Sequence, residues 1–243
     1  IYNQGSVIFT DASNKKQGSI PQGWEINEIL IENKRAIKII NINSEEEINL
    51  GDIKFKTDRK GYLILSTEED TEGNALLILE TSNAKTLTVG KNTLNNIKNA
   101  KFTLKEEEIQ KAEFFSTKPE NYNLVHNQKT YQFVALKENS HIVFNPTENI
   151  IKAKDTTLII DDKEIIASEF TARLNEFGDI GRVEINANIN YFDKNSGKTI
   201  SSKEDFNIYF DEVDLPDENN AVLILTKDEK TQLNIKGKIK VTD

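Results

Sequence analysis

Alternation with a period of two dominates this chain and confines it to β-structure. Ile53, Phe55 and Thr57 alternate with Lys54 and Lys56. Val183, Ile185, Ala187, Ile189 and Tyr191 alternate with Glu184, Asn186, Asn188 and Asn190. Successive side chains of a strand point to opposite faces, so each run offers one apolar and one wet face. DRKG (Asp58 to Gly61) interrupts the first run before Tyr62 to Leu65 resumes it, and DKNSG (Asp193 to Gly197) closes the second. A polar loop holding Gly between two β-rich runs predicts a hairpin at each place.

The hairpins belong to a longer repeat. EGNALLIL (Glu72 to Leu79) follows the acidic STEEDT, and ENNAVLIL (Glu218 to Leu225) follows the acidic DEVDLPD. After each apolar run a charged turn and a further strand are expected, with Leu87 and Val89 matching Leu233 and Ile235. Each copy then closes on a short strand, KFTL (Lys101 to Leu104) and KIKV (Lys238 to Val241), and each opens on a similar one, SVIF (Ser6 to Phe9) and HIVF (His141 to Phe144). An ordered series of matches is the mark of duplication.

The expected fold is therefore all-β: two tandem Ig-like β-sandwiches, residues 1–115 and 124–243, each of the usual size for about seven short strands. Trp24 and the run from Ile37 to Ile42 are expected in the first core, and Phe170, Leu174, Ile185 and Ile189 in the second. KEEEIQKAEFF (Lys105 to Phe115) reads as helical, because Thr103 and Glu106 form a capping-box pattern. Residues 105–123, with Pro119 and the Asn-rich stretch around Tyr122, thus read as a linker holding one helical turn. The segment from Asp161 to Gly178 fits both a helix, with Gly178 as C-cap, and a strand; its neighbours favour the strand.

Composition narrows function. The net charge of −9 repels phosphate backbones, so nucleic acid is not an expected partner. The chain has no Cys, which excludes disulfides, zinc–thiolate sites and thiol nucleophiles, and no Met; both absences suit an oxidising, exposed surface. No run is long enough to span a membrane as a helix. Residue 1 is Ile, and any signal peptide or anchor is expected outside the numbered chain. His126 and His141, far apart and outside any H-x-x-H or triad pattern, give no basis for metal or acyl-transfer chemistry. No phosphate-binding glycine loop occurs. The reading is of a non-enzyme.

Binding features remain. Glu69, Asp70, Asp214 and Asp217 lie in the acidic loops, where hard oxygen ligands could hold calcium, although their spacing matches no standard loop and solvated strand ends explain them as well. In IYNQGSVIF the residues Ile1, Val7 and Phe9 share one pleat face; a terminal extended segment can add to the edge of another sheet, or form the first strand of its own. Abundant Lys and Asn admit a Lys–Asn isopeptide staple, with no pair singled out.

With its paired KFTL and KIKV strands, repeated hairpins and IYNQGSVIF segment, the chain resembles two-domain bacterial fimbrial or adhesin subunits. That resemblance implies a secreted or cell-surface protein that recognises a partner subunit, a host receptor or a glycan by an edge strand or surface, with Ile1, Val7 and Phe9 as anchors. Two alternatives stand beside it. One is a periplasmic assembly chaperone, also built of two Ig-like domains, although Arg35, Arg59, Arg173 and Arg182 form no recognisable version of its basic pair. The other is a carbohydrate-binding module with an aromatic platform drawn from Trp24, Tyr62, Tyr191 and Tyr209.

Overall fold

The computed structural model describes residues 7–10, 16–106, 108–160, 163–186, 189–193, 198–202, 205–210, 221–226, 232–237 and 239–240. All of its regular structure is strand: β1 (Val7–Thr10), β2 (Lys16–Ile20), β3 (Trp24–Ile31), β4 (Lys34–Asn41), β5 (Ile48–Leu50), β6 (Ile53–Glu69), β7 (Ala75–Val89), β8 (Asn92–Lys105), β9 (Glu108–Ser116), β10 (Glu120–His126) and β11 (Lys129–Ala135). There follow β12 (His141–Asn145), β13 (Ile150–Ile160), β14 (Lys163–Leu174), β15 (Ile180–Asn186), β16 (Ile189–Asp193), β17 (Lys198–Ser202), β18 (Asp205–Phe210), β19 (Ala221–Thr226), β20 (Gln232–Gly237) and β21 (Ile239–Lys240). Every recorded pairing is antiparallel, and together the strands form one sheet.

The long strands β6, β7, β8 and β13 each change pairing midway: β6 and β13 exchange one partner for another, β8 pairs with β9 only from Ile97 onward, and β7 keeps β6 and β8 throughout but shifts register against β6. Ile53 to Phe55 of β6 pair with β5, whereas Tyr62 to Ser66 pair with β4. Thr156 to Ile159 of β13 pair with β11, and Ile150 to Lys154 with β12. At each change a non-glycine residue takes the left-handed conformation: Lys60 in β6 (φ 72°), Asn83 in β7 (φ 53°), Asn96 in β8 (φ 56°) and Asp155 in β13 (φ 52°). Asn and Asp enter this region more readily than other side chains. The register places these sites side by side, because Thr57 pairs with Ala84, Ala84 with Ile97 and Ile97 with Ser116. The line continues through hydrogen bonds from Ser116 N to Ser140 O (3.0 Å) and from Ser140 Oγ to Asp155 O (2.6 Å). A transverse crease thus crosses the sheet, and the buried polar residues Thr57, Ser116, Ser140 and Thr156 lie along it.

Across the crease the sheet doubles over, so that its two arms face each other. Trp24 of β3 meets Phe55 of the opposite arm (ring centroids 5.9 Å apart), Phe114 of β9 meets Tyr122 of β10 edge-on (5.0 Å), and Phe144 of β12 meets Tyr131 and Phe133 of β11 (4.8 and 6.3 Å). Offset and tilted geometries are those that aromatic quadrupoles favour. One contiguous core runs from Ile20 to Val183 between the arms.

Several expectations change. DRKG is not a hairpin loop but an outward excursion within the single strand β6: Thr57 pairs with Ala84 and Tyr62 with Ser82, leaving residues 58–61 opposite Asn83 alone. The same residues serve both purposes, since a bulge also needs a left-handed position and a close approach. A Cβ on Gly61 would lie 1.9 Å from Thr57 Oγ1, which is why glycine stands there. ETSNAK, expected as a charged turn, continues β7 through Asn83, whereas in the second copy β19 and β20 form a true hairpin from Ala221↔Gly237 to Thr226↔Gln232.

The helical turn expected in residues 105–115 is strand β9, paired with β8. Leu104 pairs with Ile109 and Phe102 with Ala112, so Gln110 is an extra residue; this bulge puts Ile109 and Ala112 on the core face three positions apart, a spacing that imitates a helix. Tyr122, expected in the linker, is fully buried in β10. The segment from Asp161 to Gly178 contains strand β14, as its neighbours favoured, with Phe170 and Leu174 in the core, and Gly178 (φ 77°) sits in the turn beyond it. Ile39 joins the core as expected; Ile37 is 48% exposed. The side chains of Ile185 and Ile189 lie outside the description.

Candidate binding site

Val7 and Phe9 lie in β1, which pairs with β2 through Val7↔Ile20 and Phe9↔Gly18; Ile1 lies outside the described residues. Both named anchors therefore occupy the first strand of the chain's own sheet, next to β2.

The acidic loop before EGNALLIL is a closed turn. Asp70 Oδ1 accepts hydrogen bonds from the backbone N–H of Glu72 (2.9 Å) and Asn74 (2.8 Å), Asp70 N donates to Asn74 O (2.9 Å), and Gly73 N donates to Asp70 O (3.0 Å). Lys105 Nζ and Asn74 Nδ2 add bonds to Oδ2 at 3.0 and 2.9 Å. These donors, the Asn74 side chain first, hold the Asp70 carboxyl far below the usual carboxylate range. Its lone pairs are thus engaged by the chain itself. Among the described residues no three His, Asp or Glu side chains converge as a metal site. Glu69 ends β6, exposed; Asp214 and Asp217 lie outside the description.

Lys105, Asp70 and Asn74 also bring together an amine, a carboxylate and a carboxamide, the groups an isopeptide staple needs. Condensation requires the amine neutral. Here Asp70 raises the Lys105 pKa, so the amine keeps its proton and the trio acts as an ion pair that clips the loop.

An identical turn recurs at residues 175–179. Asn175 Oδ1 accepts from Phe177 N and Asp179 N (2.9 Å each), Asn175 N donates to Asp179 O (2.8 Å), and Gly178 N donates to Asn175 O (3.0 Å). Asp179 takes the ion pair with Lys129. DTEGN and NEFGD exchange Asp and Asn at their ends, which conceals the kinship from letter-by-letter matching while preserving the chemistry.

At the open ends of the arms, opposite the crease, Leu50, Ile53, Leu76, Leu77, Val89 and Leu104 line a groove of about 280 Å³ with Asp52 and Glu106 at its rim. EGNALLIL thus supplies part of a groove as well as part of a core.

The most organised polar surface lies on the outer side of the arm that contains β5. The alternation Ile53-Lys54-Phe55-Lys56 buries Ile53 and Phe55 and turns both lysines outward. The register aligns Ser19, Asn49, Lys54, Thr88 and Thr93 in one row across β2, β5, β6, β7 and β8. Lys56, Thr86 and Asn95 form a second, parallel row. Thr88 and Thr93 hydroxyls lie 3.2 Å apart, and Thr86 Oγ1 lies 3.3 Å from Asn95 Oδ1. Beside the second row a cleft of about 490 Å³ opens at the crease, lined by Asn41, Ser44, Glu45, Lys56, Arg59 and Lys85 together with Asn43, Thr57 and Asp58. Lys85 pairs with Asp58 (2.5 Å). Lys54, Lys56 and Arg59 make no ion pair among the described residues. The sequence shows this face only as alternation; which strands stand beside Lys54 is a matter of register.

The aromatic platform does not form around Trp24, which is fully buried with its indole N–H unpartnered; Tyr62 lies under Lys38, whose Nζ is 4.4 Å from the ring centre. Tyr191 and Tyr209 side chains lie outside the description. Arg35 pairs with Glu28 on the β3–β4 hairpin, away from Arg59 in the cleft. His126 packs edge-on against Phe144, and burial lowers its pKa, while His141 stacks on Phe115 and meets Glu113 Oε1 at 3.0 Å. Comparison with known protein families, with curated proteins and with solved structures found no match to this chain.

Proposed function

We propose that this chain is a non-enzymatic structural or adhesive protein, secreted or displayed at the cell surface, that assembles with a partner through the edge of its sheet. In this reading the arms make up tandem Ig-like sandwiches, and the partner is a further subunit or a surface receptor. One observation carries it: β1, which holds Val7 and Phe9, pairs with β2 alone among the described residues and so stands at an end of the sheet. An edge strand offers a row of main-chain donors and acceptors to an incoming strand. The absence of Cys and Met from the chain is consistent with exposure to oxidants.

Removal of residues 1–9 tests the reading. Sedimentation of the full chain, and its retention on the surface of producing cells, should both be lost in the truncated protein, while far-UV circular dichroism stays that of a β-protein. Assembly and retention that survive the truncation would overturn it.

A further inference from the structure

We propose that the outer face formed by β2, β5, β6, β7 and β8, with the cleft at its crease end, binds an acidic oligosaccharide carrying sulfate or carboxylate groups. This goes beyond edge-strand assembly and uses a different surface.

The first argument is rigidity. Each outward side chain of the two rows alternates with a buried one: Ile53 and Phe55 behind the lysines, Leu87 and Val89 behind Thr86 and Thr88, Leu94 behind Thr93 and Asn95. Strands lie about 4.8 Å apart and like-facing residues about 6.8 Å apart along a strand, so the rows form a fixed grid. Threonine side chains are stiff at χ1, and little freedom is lost when they are engaged. Groups set on regular elements hold their geometry better than groups on loops.

The second argument is charge. The whole chain carries −9, yet Lys54, Lys56 and Arg59 stand together without acidic partners among the described residues. Asp58 is engaged by Lys85, which leaves Glu45 as the other acid lining the cleft. An anion brought to this face meets ammonium groups at a spacing that neighbouring hydroxyls and amides can supplement.

The third argument is the kind of polar group. Hydroxyl and carboxamide side chains, namely Ser19, Thr86, Thr88, Thr93, Asn49 and Asn95, both donate and accept, which matches the hydroxyls of a sugar. None of the residues in the two rows or lining the cleft is aromatic. Without a stacking platform the face offers nothing to nucleobases, and the overall negative charge opposes a long polyphosphate. A short acidic sugar chain satisfies both the lysines and the hydroxyl grid.

Calorimetry of the full chain decides the matter, with five probes at equal ionic strength: a sulfated hexasaccharide, an oligogalacturonate of equal length, neutral maltohexaose, a short single-stranded DNA and inorganic sulfate. Binding is expected for the sulfated or the uronate oligosaccharide, and which of them binds identifies the source of the anion. Affinity should fall about tenfold in the Lys54→Gln/Lys56→Gln double variant and as salt is raised, because both act on the same charge contacts. Thr88→Val, which deletes a hydroxyl and no charge, should weaken the sugar several-fold. Maltohexaose and DNA should not bind. Failure of both acidic sugars to bind, or binding that the double variant leaves unchanged, overturns the proposal. DNA or sulfate binding as strong as the sugar, with Thr88→Val without effect, also overturns it, reducing the face to a general anion patch. Melting temperatures of both variants, altered only on the surface, should match the parent and show that any loss is local.

Discussion

The two ends of β8 are held in different ways. From Asn99 to Lys105 the strand is laddered to β9 by backbone pairing, and β9 in turn to β12. From Asn92 to Ile97 no such ladder joins it to β10, its neighbour in the same arm. There, side chains reach across: Asn92 Oδ1 accepts from Val125 N at 2.6 Å, Asn96 Nδ2 donates to Glu120 Oε2 at 2.6 Å, and Tyr122 O–H reaches Asn96 O at 3.4 Å. Asn92 is almost fully buried, so its amide replaces a main-chain group that could not otherwise be satisfied. A ladder tolerates substitution because its bonds belong to the backbone. A side-chain seam depends on the letters of the sequence.

The contrast can be broken in a graded series. Phe144→Ala removes the ring that joins β12 to β11 across the arms, and equilibrium denaturation should show a loss of about 3–5 kcal/mol for so large a cavity. Trp24→Phe at the far end of the core should cost much less, because it also removes a buried donor without a partner. Asn92→Ala should cost about 1–3 kcal/mol by leaving the half-buried Val125 N–H without its partner and emptying a buried site, whereas Asn95→Ala, on the exposed face of the same strand, should change stability by less than about 0.5 kcal/mol. Equal costs for the two asparagines would refute the seam. The smallest effect is electrostatic. The Asp70 carboxyl is held below its ordinary value of 3.8, so its stabilisation of the 70–74 turn is complete above that pH and fades as the pH falls further. Hydrogen exchange of Glu72 and Asn74 N–H should accelerate, relative to the core amides, when the pH is lowered from 5 towards 2, and Asp70→Ala should abolish that dependence.

Legibility followed the range of each interaction. Alternation is local, and it marked both halves of β6 as strand, while in β14 it fitted a helix as well and only the neighbouring strands decided. Bulges are also local but share their residue signals with other structures. Asp58 to Gly61 carries the composition of a hairpin loop, and the extra residue Gln110 gives Ile109 and Ala112 a helical spacing. Only the partner strand separates the alternatives. The repeat of EGNALLIL and ENNAVLIL compared letters, and its members meet different surroundings: Ala75 to Leu79 open a strand that runs unbroken to Val89, while Ala221 to Thr226 form one side of a hairpin. The repeat that matters to the backbone, DTEGN with NEFGD, shares one letter, the glycine, at matching positions and all of its main-chain hydrogen bonds. The row from Ser19 to Thr93 draws on three distant stretches of chain, and no short window could contain it.

The crease fixes the reading frame of the sheet. Lys60, Asn83, Asn96 and Asp155 must stand at one height, each in a conformation most residues avoid. A single residue inserted between Ile53 and Lys54 would push Lys60 out of line with Asn83 and turn both lysines of the outer face inward, while the same insertion at Thr71 or Glu72 would be absorbed at the turn. Length variation in this protein is therefore expected to collect at its turns, with the distance from each turn to the crease held constant.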